Sequence, residues 1–108
     1  MTSKVASIIG YIGILGWLIA FFGGKEQRDD FSVYHLKQGL GLAIVSFGFM
    51  ILTQIVAAIS PAIGSILSLV SLVFLVFMIL GIINANNGVK KPLPLIGAMF
   101  EDKFDFIK

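Results

Sequence analysis

The chain has no cysteine, a single histidine and few charges, with only 13% of its residues ionic. Without thiols there is no disulfide framework, no thiolate zinc site, no iron–sulfur cluster and no cysteine nucleophile. One histidine, His35, with no carboxylate in its own helix turn supplies neither a catalytic triad nor a metal triplet. An enzyme is therefore the least favoured reading, and no cofactor or metal is expected. The scarcity of charge is also uneven. Residues 5–23, 38–59 and 63–83 contain no Asp, Glu, Lys or Arg at all. Proton- and ion-coupled carriers place such groups within the membrane, so active transport is disfavoured as well. The net charge of +2 comes from scattered basic residues, which excludes nucleic acid as a partner.

Hydrocarbon is what the chain does have. Hydrophobic residues make up 57%, and mean hydropathy is +0.99. A soluble domain is nearer about half apolar and about a quarter charged. A chain of 108 residues cannot hide that excess in an aqueous core, so lipid is its solvent. Each of the three uncharged stretches meets the length of roughly 20 residues that spans a bilayer. The sequence thus predicts an all-α integral membrane protein, a single domain over 1–108 with three transmembrane helices in a small bundle. The apolar core of 5–23 exceeds the roughly 7–15 residues of a signal peptide and no A-x-A-like site follows, so it reads as a retained helix. Ser60-Pro61-Ala62 is short enough to force the second and third spans into an antiparallel hairpin, with Pro61 suited to the first helical position.

Orientation follows from the basic residues. With three spans, Lys4 lies alone on the side of Met1, against seven Lys and Arg in the 24–37 loop and the 84–108 tail. Positive segments stay cytoplasmic. The expectation is a multi-pass protein of the bacterial inner membrane, its N-terminus outside and its C-terminus cytoplasmic.

Small residues mark packing surfaces, since close approach is what joins helices in lipid. In the first span Ala6, Gly10, Gly13, Gly16, Ala20 and Gly24 fall on one face at about 100° per residue. The string GYIGILG at 10–16 has the look of a phosphate loop but lacks the strand and the lysine of one. In the second span Ser32, Gly39, Ser46, Thr53 and Ser60 recur every seventh residue, a seam suited to left-handed packing. Gly64, Ser68 and Ser71 form a comparable face in the third. Gln54 projects roughly opposite the Ser46/Thr53 seam and is read as structural or interfacial. The third helix ends at Asn86-Asn87-Gly88, where Gly88 is the natural stop. Ile96, Phe100, Phe104 and Ile107 then share one side of a short amphipathic segment, expected at the membrane surface. The acidic residues 29, 30, 101, 102 and 105 read as solvated.

Two stretches stand apart: FSVYHLKQGLGL at 31–42 and NANNGVKKPLPLIG at 84–97. In the first, His35, Lys37 and Gln38 precede hydrocarbon directly, and His35 and Gln38 share a helix face flanked by Ser32 and Gly39. That face is placed to clamp the 84–97 segment, which leaves the membrane on the same side. The histidine with its polar pair, followed by the Ala-Asn-Asn-Gly and Pro-Leu-Ile-Gly motif, resembles small bacterial relatives of the twenty-kilodalton Tic component of chloroplast protein import. The resemblance implies a membrane fold, a link to protein translocation, and importance for His35, Gln38, Asn86, Asn87, Gly88, Pro94 and Gly97. The favoured function is a non-enzymatic accessory or assembly subunit, with the lipid bilayer and a larger membrane complex or further copies of the chain as partners. The alternative, a small homo-oligomeric channel, would turn the Ser32/Gly39/Ser46/Thr53 seam towards a pore.

Overall fold

The computed structural model describes residues 1–107, and every regular element among them is helical. These are α1 (Ser3–Ile9), α2 (Gly13–Gly23), α3 (Asp30–Ile59), α4 (Pro61–Val70), α5 (Leu72–Asn86) and α6 (Gly97–Phe100), with a 3₁₀ turn over Lys25–Gln27.

The first expected span is not one helix. It breaks at Gly10-Tyr11-Ile12, and Gly13 adopts φ +69°, a left-handed backbone that glycine reaches without a Cβ penalty. The chain reverses there, and α1 and α2 lie side by side. A Cβ on Gly24 would stand 2.8 Å from that of Ala6, and one on Gly23 would stand 3.2 Å from the Met1 methyl carbon. The small residues expected to line one face of a straight helix instead close this hairpin (Ala6 on Gly24) and dock its tip (Gly10 on Gly39). Gly16 lies over the Ile9 carbonyl, where a Cβ would meet the oxygen at 2.6 Å.

Helix α3 begins eight residues before its hydrocarbon. Asp29 caps it, its carboxylate accepting from the Ser32 N–H at 2.9 Å while the Asp29 N–H donates to Ser32 Oγ at 2.9 Å. Ser60 ends α3 and starts α4, with Pro61 at the first helical position. Only a kink at Ser71 divides α4 from α5, so 61–86 is one helical run of 26 residues. That run and α3 are long and apolar enough to cross a bilayer, with mean hydropathies of 3.1 and 2.3 over their most apolar windows. Only 11% of each window is buried, unlike the core helix of a soluble protein. Neither α1 nor α2 has that length, so two helices, not three, meet the test.

The packed core lies at one end. One cluster joins Ala6, Trp17, Ala20, Leu36, Leu40 and Ile107, and a second joins Tyr11, Leu42, Phe77, Ala85 and Leu93. All of this surrounds the first half of α3 and the last turns of α5. Beyond it α3 and α4 continue as a bare two-helix hairpin, joined where Gly64 meets Ala57. The tail also departs from expectation. Its apolar residues Ile96, Phe100, Phe104 and Ile107 pack on the protein's own core rather than on lipid, and only 97–100 is helical. Self-burial wins because the α1–α2 hairpin, by folding back, leaves Trp17 and Leu40 in need of a cover.

Candidate functional site

One turn of α3 carries most of the buried polar chemistry. His35 and Gln38, three residues apart and hence on one face, both have no exposed surface. His35 Nε2 lies 2.8 Å from the Val89 carbonyl and Nδ1 lies 2.6 Å from the Tyr11 hydroxyl. A carbonyl only accepts, so Nε2 carries the proton, and Nδ1 of the neutral ring accepts from the Tyr11 O–H. Phe31, Tyr34 and Tyr11 meet the imidazole edge-on, with centroids 4.7, 5.4 and 5.6 Å away. Gln38 acts as a second peptide group. Its amide N–H donates to the Gly97 carbonyl at 2.6 Å, and its carbonyl accepts the Leu93 N–H at 3.0 Å. The indole N–H of Trp17 donates to the Leu36 carbonyl at 2.8 Å, and the Lys37 ammonium reaches the Glu101 carbonyl at 3.5 Å.

Glycines allow this density. A Cβ on Gly39 would stand 2.3 Å from the Gly10 carbonyl oxygen, and one on Gly81 would stand 2.4 Å from the Tyr11 ring. Gly41 takes the Phe100 ring at 2.2 Å by the same measure, and Gly97 the Gln38 oxygen at 2.3 Å. Val89 is aimed by the end of α5. Gly88 turns left-handed at φ +70°, its N–H bonds the Ala85 carbonyl at 3.2 Å, and the Val89 N–H bonds the Asn84 carbonyl at 3.0 Å. That pair is a Schellman motif. Asn86 and Asn87 are exposed at this stop, and Pro94 is exposed on the following loop.

Asp29 belongs to the same end of the molecule. It accepts from the Ser3 hydroxyl at 2.5 Å, which ties α1 to the cap of α3. The Ser3 hydroxyl first, and then the Ser32 N–H, hold its carboxyl below the usual carboxylate range. Asp29 is thus exposed, as expected, and also serves as the cap of α3. Arg28 lies over the Phe21 ring at 4.5 Å and donates to the Phe21 carbonyl. Every polar atom of His35 and Gln38 is engaged by a partner within the chain. The arrangement holds the α1–α2 turn, α3 and the tail together.

The remaining sequence candidates lie away from this latch. Ser46, Thr53 and Gln54 line a crevice of about 340 Å³ together with Ser68 and Ser71. Gln54 was expected opposite the Ser46/Thr53 seam and instead shares its crevice, because a one-residue step on a helix turns only about 100°. Thr53 donates to the Phe49 carbonyl at 2.8 Å and Ser68 to the Gly64 carbonyl at 3.0 Å, so these hydroxyls serve their own helices. Ser32 is buried and Gly39 packs against the Gly10 carbonyl, so neither faces a pore, which breaks the seam a channel would need. Sequence reasoning overlooked Tyr11, Trp17, Gly41 and Gly81. A signal was present, since buried Tyr and Trp require a partner for the O–H and N–H.

No curated protein and no solved structure matches the chain. A family model does match, across residues 1–100, and it takes in both stretches on which the likeness to chloroplast protein import rested. That likeness is corrected accordingly: the latch motifs occur here in a different family, and the link to translocation falls with it. With 100 of 108 residues matched, the chain belongs to the magnetosome magnetite crystal formation protein family, MamF/MmsF.

Proposed function

We propose that the protein is a non-enzymatic component of the magnetosome membrane that acts in magnetite crystal formation. The family match over residues 1–100 carries this reading. The site supports it, because its buried polar groups fasten the chain to itself and its outward surface is hydrocarbon. The exposed flanks of α3 and α5 are where lipid or other membrane components pack.

Topology is part of the proposal. The hairpin fold of α1 and α2 brings Met1 back beside Gly23, so Lys4 joins the basic residues of the loop and tail. The 60–62 turn carries no charge. Basic side inward then means that both the N-terminus and the tail are cytoplasmic, in place of an N-terminus outside. Deleting the gene in a magnetite-forming bacterium should change the number, size or shape of the crystals seen by electron microscopy, and the intact chain should restore them. Crystals unchanged by the deletion would overturn the reading.

A further inference from the structure

The two ends of the molecule differ in width. It is 47 Å long and 22 Å across in both other directions. A pair of helices side by side is only about 10–12 Å thick. Full width in both directions is reached where α1, α2, α6 and the tail surround α3 and α5, and the end near Ser60 is the bare hairpin. The wide base is not dressed for water. Leu15, Ile19 and Phe22 point outward from α2, and Leu95, Met99 and Phe106 point outward from the tail. Leu95 is 94% exposed on a left-handed backbone, φ +68°, that a leucine rarely adopts. Gln38 bonds the chain two residues before and two after it, so this projection is built and fixed.

Height along the membrane identifies what these side chains meet. The 93–97 loop is level with Gln38, where the uncharged run of α3 begins, which is the boundary between headgroups and acyl chains. Lys25, Lys90, Lys91 and Lys103 are exposed on the same base. Apolar projections among these lysines and the exposed Glu26, Asp30, Glu101, Asp102 and Asp105 match the headgroup region of a leaflet, and shallow insertion of this kind is sensitive to curvature.

We propose that the base is a one-sided wedge, which spreads the headgroup region of the basic-side leaflet and gives the protein a preference for membranes convex on that side. This rests on the same-side placement of the termini argued above and not on the role in crystal formation.

The absence of native cysteine permits a direct test with the full chain. Glu26→Cys, labelled with a fluorophore, is reconstituted into giant vesicles of phosphatidylcholine and phosphatidylglycerol. Quenching from outside reports which way the base faces, so an N-terminus on the wrong side is detected before curvature is measured. Narrow tethers are then drawn from the vesicles. Protein with its base outward is expected to be enriched severalfold in the tether, and protein with its base inward to be depleted. Leu95→Ser with Met99→Ser should reduce the enrichment while helical content, read by circular dichroism, is retained. Equal density on tether and vesicle in both orientations would overturn the wedge. Enrichment untouched by the double substitution would overturn the role given to the tail projections.

Discussion

At His35 one ring ties together three stretches that lie far apart in the sequence: α1 through Tyr11, α3 itself, and the end of α5 through Val89. Replacing it with alanine strands the buried Tyr11 hydroxyl, at a cost of about 1–3 kcal/mol, and frees the half-buried Val89 carbonyl. His35→Ala should speed amide hydrogen exchange over 89–97, and Gln38→Ala should act on the same residues by removing both bonds around Leu95. Unchanged exchange in both variants would mean that the tail is held by its apolar contacts alone. Two glycines of α3 provide a contrast. Gly39→Ala drives a Cβ into the Gly10 carbonyl, backbone against backbone, with an overpacking cost of about 1–3 kcal/mol. Gly48→Ala meets nothing within 4 Å and gains helix propensity, so it should be neutral or stabilising by up to about 1 kcal/mol. Resistance to unfolding in mixed micelles distinguishes the two. The residues of the latch were legible because buried polar side chains at a membrane boundary are rare and need partners. Their partners were not, since a backbone carbonyl such as that of Val89 has no signature in composition.

Among the elements, α3 and the 61–86 run could be read directly, as long uncharged stretches joined by a proline-started turn. The α1–α2 hairpin could not. Its residues satisfy the hydropathy of a span, and the break depends on tertiary contacts at Gly10, Gly39 and Gly81 that a one-dimensional pattern does not record. The tail was misread for a similar reason: an apolar stripe does not say whether lipid or the chain's own core will cover it. The join between α1 and α3 is also expected to weaken in acid. The folded-state pKa of Asp29 is depressed, so its stabilisation is present above the ordinary value of about 3.9 and is lost as pH falls through the lowered folded value. Spin labels on Lys4→Cys and Glu26→Cys should show a short, narrow distance at neutral pH that broadens in acid. Asp29→Asn, which can still cap the helix, should remove that pH step. A distance distribution independent of pH in the parent chain would show that the Ser3–Asp29 bond does not hold the hairpin.

For the molecule as a whole, packing is concentrated at the base and the far half stands as two helices in lipid. Cutting the chain before Gly97 would uncover Trp17, Leu36 and Leu40, so the truncated protein should lose its ordered base while keeping the α3/α4 hairpin. A red shift of emission from Trp17, the sole tryptophan, would report that loss; an unshifted spectrum would show that the tail is dispensable to the core. The short turn at Ser60 has a further consequence. With the base in the cytoplasm, the opposite compartment sees only Ser60-Pro61-Ala62 and the apolar ends beside them, Ile59 and Ile63. No carboxylate, imidazole or ammonium is there to grip a mineral face or to chelate iron. On that proposed placement, an effect on a growing crystal would act through the membrane, as a mould acts on a casting, rather than through a template pressed against its surface.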